Sequence, residues 1–378
     1  VNSAVRDDIV QVLRDPTRLE ALFDQYGDAE TVTQLEQEGV AAYLAWLRPE
    51  INALTPARHR SAIVAELQAR QLRLVCAALL DAGIQPVLFK GAAAAHTDYP
   101  APWCRPMVDL DLLIAAAERT RAFAVLTELG YAQPDRIAGE WVSGQQVFER
   151  AIGGLTVSVD VHWRVSNRIW LSALLPETRI RERAVAAPFA GPGVLRAGDE
   201  DAMLIACLHP AAHHPKDARL VWALDVARLA GRMTPSVIDG VVAACNAAGV
   251  SATLAQALRN AAALTPVRAT IPPMLEPALV DRIAASAAVE RSPVSDQPDR
   301  DQLQDALDDL RALPDWGARL RLLREHLFPA PAFMLRMHGN PSPLVLPWLY
   351  TRRLVVGGWQ WTAQWARDRV ISRRAGRS

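Results

Sequence analysis

The chain is poor in lysine, in cysteine and in long apolar runs, and each shortage excludes something. Of its 41 basic residues only two, Lys90 and Lys216, are lysine, and the rest are arginine. A compact ammonium and a planar guanidinium are not equivalent near phosphate, so the two retained lysines draw notice. The basic residues meet 41 acidic ones for a formal net charge of zero. That balance lacks the basic surface of a general nucleic-acid binder. The four cysteines, Cys76, Cys104, Cys207 and Cys245, are far apart and offer no pair at metal-ligand spacing. They are read as reduced thiols of a cytoplasmic protein. No stretch reaches the roughly 18 consecutive apolar residues of a membrane span. The opening VNSAVRDDIVQVLRD alternates charged with apolar residues, unlike the uninterrupted core of a secretory signal. With 378 residues, 51% of them hydrophobic, the chain can bury a large core divided into two or three lobes.

What is present is concentrated between Pro86 and Ile114, PVLFKGAAAAHTDYPAPWCRPMVDLDLLI. A short apolar run leads into Lys90 and Gly91, and a proline-broken loop delivers Arg105 into VDLDLLI. Alternate side chains of a strand share a face, so Asp109 and Asp111 point one way and Leu110 and Leu112 the other. Two carboxylates on one face of an apolar strand are expensive unless a positive charge sits between them. A divalent cation, Mg²⁺ or Mn²⁺, meets that need, with substrate phosphate completing its shell. A third carboxylate is at hand in LTVSVDVHW, residues 155–163, where Asp160 lies mid-strand and His162 shares its face. Gly153 and Gly154 suit a hairpin turn from the preceding QVFERAI.

These residues resemble an uncharacterised bacterial nucleotidyltransferase-like family related to DNA polymerase β. The resemblance rests on Lys90-Gly91 after a strand, on Arg105-Pro106-Met107 with Asp109-Leu110-Asp111, and on Asp160-Val161-His162-Trp163-Arg164. It continues in CLHPAAHHPKDARLVWALDVARL, residues 207–229, and more weakly from about Gly39 to LREHLFP. It implies Asp109 and Asp111 as metal ligands, and Asp160 as metal ligand and base for the attacking hydroxyl. Lys90, Gly91 and Arg105 would hold phosphate. His162 would orient Asp160 or contact the acceptor, and Lys216, Trp222 and Asp225 would stand on a helical wall facing the nucleotide or acceptor. One departure is Ala92, where better-known relatives carry Ser or a second Gly, so a hydroxyl contact to phosphate is missing and Lys90 supplies charge instead.

The pattern along the chain predicts an α/β (α+β) fold, a small mixed sheet flanked by helical regions at both ends. Residues 1–84 read as helices. Residues 85–190 form the catalytic core, with strands at PVLF, VDLDLLI, 146–152 and 155–163, helices at 92–99 and 116–129, and helices covering one face. Residues 191–290 form a helical domain with helices at 199–214, 216–231, 235–248 and 251–264. Residues 291–378 comprise a polar linker, RSPVSDQPDRDQ, and a helical, basic tail. From Arg352 that tail carries seven arginines against one aspartate, interleaved with Trp359, Trp361 and Trp365. It reads as a membrane-surface or partner-binding helix or as a capping helix packed on the body. His209 and His213 have the i, i+4 spacing of helical metal ligands, but Pro210, Pro215 and the lack of a third ligand speak against zinc.

The expected activity is Mg²⁺-dependent transfer of a nucleoside monophosphate from an NTP to a hydroxyl or phosphate on a small molecule or peptide. Two rivals stand beside it. Asp-x-Asp with a divalent ion also holds nucleotide sugars in glycosyltransferases, including in peptide tailoring, and a nucleotide-binding scaffold could keep the fold without the chemistry.

Overall fold

A computed structural model of the chain describes residues 3–134, 139, 141–214, 218–267, 269–287, 302–339 and 342–356. Lys216, most of the 291–302 linker and the tail tryptophans Trp359, Trp361 and Trp365 lie outside the described residues. No helix among the described residues is long and apolar enough to cross a membrane, and no disulfide joins the four cysteines.

The front of the chain is helical: α1 (Ser3–Arg14), α2 (Leu19–Tyr26), α3 (Asp28–Gln37), α4 (Ala41–Leu47) and the long α5 (Thr55–Asp81). Pro56 sits in the first turn of α5, where a missing N–H costs nothing. Gly83, at φ +70°, turns the chain out of α5. There follow β1 (Val87–Leu88), α6 (Gly91–Thr97), β2 (Asp109–Leu113), α7 (Arg119–Glu128), β3 (Gln145–Ile152) and β4 (Leu155–His162). The β3–β4 hairpin turns at Gly153 and Gly154, both at positive φ, as a two-residue turn between right-twisted strands requires.

Two further strands escape the sequence pattern. After α8 (Ile169–Leu174) and α9 (Glu177–Glu182), β5 (Val185–Ala186) and β6 (Leu195–Arg196) complete a six-stranded sheet in the order β3-β4-β2-β1-β6-β5. At two residues each they are too short to show a period. The sheet is mixed: β4 runs parallel to β2 and β6 parallel to β1, while the other neighbours are antiparallel. It therefore continues past residue 190 into the segment that precedes the helical lobe. That lobe holds α10 (Asp199–His213), α11 (Leu220–Ala230), α12 (Pro235–Ala248), α13 (Ser251–Ala262) and α14 (Pro277–Ser286). Beyond it come α15 (Gln302–Ala312), α16 (Trp316–Leu327) and α17 (Pro331–Met337).

The alternation in β2 and β4 decides what lies on each side. Leu110 and Leu112 of β2 and Val157, Val159 and Val161 of β4 join one core with α5, α6 and α7. Val87, Phe89 and Leu113 join a second core, built largely of α10 to α14. Helices thus cover both faces of the sheet, not one as the sequence pattern suggested. The second face carries the carboxylates, and it is roofed by α10 and α11.

Candidate functional site

The site begins with strand register. On the parallel pair β2 and β4, Asp111 stands opposite Asp160, Asp109 opposite Ser158 and Leu113 opposite His162. Parallel neighbours in register project their side chains to the same face, so Asp111 and Asp160 lie side by side with Asp109 two residues away. Asp111 and Asp160 are buried, and His162 is fully buried. Asp111 Oδ1 accepts from Lys90 Nζ at 2.9 Å and lies 2.8 Å from His162 Nε2. Gln145 Nε2 donates to Asp160 Oδ2 at 2.7 Å.

The three carboxyl groups separate into two kinds. Burial alone would raise Asp111, but the Lys90 ammonium and the His162 hydrogen bond hold it well below the usual carboxylate range. Asp109 is pushed up to about 6, first by burial and then by the charge of Asp111, against the pull of Lys90 and Arg105. Asp160 is pushed up to about 7, by burial and by the charges of Asp109 and Asp111. One charge is offset, and the repulsion that is left falls on the other two.

Lys90 reaches Asp111 from a strained turn between β1 and α6. It sits at φ +50°, ψ −135°, and no other non-glycine residue among those described has positive φ. Such a conformation costs of order 1–3 kcal/mol and persists where the surroundings impose it. Gly91 follows, and a Cβ built there would lie 2.5 Å from Arg105 Nη1. Arg105 cannot easily give way. Its Nη2 donates to Asp225 Oδ2 at 2.7 Å and its Nε to Asp225 Oδ1 at 3.3 Å, while the Tyr99 hydroxyl donates to the same Oδ1 at 2.7 Å.

A cavity of about 480 Å³ opens beside these groups, between the sheet and the helices α10 and α11, within the range of small-molecule sites. Lys90, Gly91, Arg105, Asp109, Asp111 and Asp225 line it. So do three arginines that no motif announced, Arg196, Arg219 and Arg232. Arg232 Nε donates to Asp98 Oδ1 at 2.7 Å, and Arg232 and Arg196 share Asp199. Arg219 donates to the carbonyls of Gln37 (2.6 Å) and Glu36 (3.2 Å) and makes no ion pair among the described residues.

The structure thus brings Lys90, Gly91, Arg105, Asp109, Asp111, Asp160, His162 and Asp225 into one region. One contact differs from the sequence reading: His162 bonds Asp111 and not Asp160. The fork of Arg105 is engaged by Asp225 and Lys90 by Asp111, ion pairs that either cation could form from its place in the sequence. Gln145 and Tyr99 were missed, because a lone amide or phenol in a loop or at a strand start carries no spacing signal. His209 and His213 remain on one helix, since α10 continues through Pro210, with their rings 4.6 Å apart. His213 Nε2 lies 2.7 Å from Ser166 Oγ.

The family model described as "Uncharacterised nucleotidyltransferase" matches residues 32–266, more than half of the chain. The chain belongs to that family. No curated protein and no solved structure matches it. The matched span runs from within α3 to just past α13, so it takes in the whole sheet and both walls of the cavity. A divalent ion fits the residues present: Asp111, Asp160 and His162 each offer a ligand atom, all within 4.8 Å of one another, and no other such cluster occurs among the described residues. Burial first and neighbouring carboxylate charge second raise Asp109 and Asp160, and a cation would offset that charge.

Two outcomes follow from this geometry. Gly91→Ala destabilises the fold by about 1–3 kcal/mol in chemical denaturation, as overpacking does. That loss shrinks when Arg105→Ala is present too, and equal losses in both backgrounds would show that the contact is not the cause. The second concerns His213, whose pKa burial and then Lys90 push down to about 3. The unfolded chain binds a proton there near pH 6.5 and the folded chain does not, so stability falls as pH drops from about 6.5 towards 3. The slope is at most about 1.4 kcal/mol per pH unit. His213→Gln flattens this acid limb in urea titrations, and an unchanged limb would contradict the assignment.

Proposed function

We propose that the chain moves a nucleoside monophosphate from an NTP to a hydroxyl or phosphate on a small molecule or peptide, with Mg²⁺ or Mn²⁺, releasing pyrophosphate. The observation that carries this reading is the register of Asp111 against Asp160, with Asp109 two residues away, where Asp109 and Asp111 line a cavity that Lys90 and four arginines also line. Asp109, Asp111 and Asp160 would hold the metal, with His162 fixing Asp111. A divalent ion held there would supply Lewis-acid neutralisation of phosphate charge.

The chain's own residues would do the rest. Lys90 and Gly91 form a turn against which phosphate oxygens can rest, with the ammonium at its edge. Asp225 and Tyr99 hold Arg105 in one orientation, so its remaining N–H groups are set before substrate arrives. Asp160, beside the carboxylates that would hold the metal, would accept the proton of the attacking hydroxyl. In that step the acceptor oxygen bonds to the α-phosphorus, the bond from that phosphorus to the bridging oxygen breaks, and the electron pair leaves with pyrophosphate. Arg219, a lining cation with no ion pair among the described residues, would meet a polyphosphate donor.

The test is product analysis of each NTP and of nucleotide sugars incubated with the protein, Mg²⁺ and a deproteinised metabolite extract as acceptor source. Pyrophosphate forms from an NTP, and Asp111→Asn lowers its rate at least about a hundredfold, the scale of losing several kcal/mol of transition-state stabilisation. Nucleoside diphosphate from a nucleotide sugar, or turnover within about threefold of wild type in Asp111→Asn, would sink the reading.

A further inference from the structure

A second cavity, of about 400 Å³, adjoins the first. It lies between α10, α11 and α13, with Arg6 and Val10 of α1 at its edge. The two cavities share Ala206, Pro210, His214, Arg219 and Trp222 as common lining. His214 and Trp222 pack ring to ring, with centroids 4.7 Å apart. The His214–Trp222 pair thus stands, with Ala206 and Pro210 of α10 and with Arg219, in the partition between the second cavity and the carboxylate site.

The chemistry of the two cavities differs. No carboxylate among the described residues lines the second. Alanines at 206, 211, 223 and 257 leave the room that larger side chains would fill. The polar groups come mainly from one face of α13, where Thr253, Gln256 and Asn260 recur at helical spacing. Thr253 is buried, 4% exposed, and its hydroxyl has no hydrogen-bond partner among the described residues. Leaving a buried hydroxyl unpaired costs free energy that a valine of the same shape would not incur. Gln256 donates to Asn260 at 2.9 Å, which leaves the Gln256 carbonyl and the Asn260 amino group open to a ligand. Of the two arginines, Arg6 is tied to Glu38 at 2.8 Å, and Arg219 stands at the boundary that both cavities share.

We propose that this second cavity is the acceptor subsite. It would hold the largely apolar, uncharged body of the acceptor, read by the Thr253 hydroxyl and the amides of Gln256 and Asn260. The reacting hydroxyl would pass the His214–Trp222 partition towards the carboxylates. This rests on the nucleotidyl-transfer reading for its direction of travel, since the first cavity is the one with cations for a triphosphate. The acceptor class is thus a neutral small molecule or peptide side chain with an aromatic or aliphatic body and a terminal hydroxyl. A polyanionic acceptor does not fit these walls.

The experiment uses the full chain and one probe, N-acetyl-tyrosinamide, which is neutral and combines an aryl body, a hydroxyl and two amides. Saturation-transfer NMR reads its binding with and without Mg²⁺ and a non-hydrolysable ATP analogue. The probe binds in both cases and the nucleotide does not displace it. Ala257→Trp, which fills the cavity, abolishes the signal. Thr253→Val, which is at least as stable as wild type because it removes an unpaired hydroxyl, weakens binding about three- to tenfold, the weight of one neutral hydrogen bond. No transfer to the probe, binding untouched by both variants, or displacement by the nucleotide would each overturn the proposal, the last because it makes this cavity the nucleobase pocket. The same titration on Asp109→Asn/Asp111→Asn separates the two readings. Nucleotide that binds this double variant as well as wild type counts against the catalytic reading alone, and the probe binds the variant as it binds wild type.

Discussion

The structure turns on the crowding of three carboxyl groups on one face of two adjacent parallel strands. The pairing of Asp111 with Asp160 cannot be loosened by a one-residue slip of β4, because the slip would turn Val157, Val159 and Val161 out of the core that they share with α5 and α7. The hydrophobic pattern therefore fixes an electrostatic problem. Lys90 and His162 solve it for Asp111, and Gln145 engages Asp160. Burial without full compensation is what raises the proton affinity of Asp109 and Asp160, and a cation placed between the strands would offset their charge.

Much of the surrounding architecture serves to hold cations around this cluster. Lys90 occupies a strained backbone conformation at the end of β1, and Gly91 has no side chain because Arg105 fills that space. Arg105 is itself clamped to Asp225 on α11, and Arg232, just beyond α11, is clamped to Asp98 at the end of α6. These pairs tie the helical lobe to the sheet across the cavity. They are partly buried and hydrogen-bonded, which separates them from surface pairs worth a few tenths of a kcal/mol. The lobe is thus a wall of the site as well as a neighbour of it.

The sequence made part of this legible. The period of two in VDLDLLI and in TVSVDVH sets which residues share a face of each strand, Asp109 with Asp111 and Asp160 with His162; that the two strands lie side by side was carried by the family resemblance. Glycines at 153 and 154 mark the hairpin. The family could be named from these residues, and the match over residues 32–266 confirms it. What stayed hidden depends on closure in three dimensions. That His162 reaches Asp111 across the sheet, or that Asp225 takes the Arg105 fork from 120 residues away, follows from how α11 docks on the 98–108 loop, which no local spacing encodes. Strands β5 and β6 form because two residues each complete an edge beside β1. Arg196, Arg219 and Arg232 looked like any of the arginines in a chain where arginine is everywhere.

The central claim is that the carboxylates of β2 and β4 form a divalent-cation site. It is tested most directly by crystals grown with Mn²⁺ and a non-hydrolysable NTP analogue, with anomalous scattering recorded at the manganese edge. The account predicts an anomalous peak within about 2.0–2.3 Å of carboxylate oxygens of Asp109, Asp111 and Asp160, with Lys90 drawn off Asp111 towards phosphate. Manganese bound elsewhere, with the Lys90–Asp111 pair intact and no peak between the two strands, would contradict it.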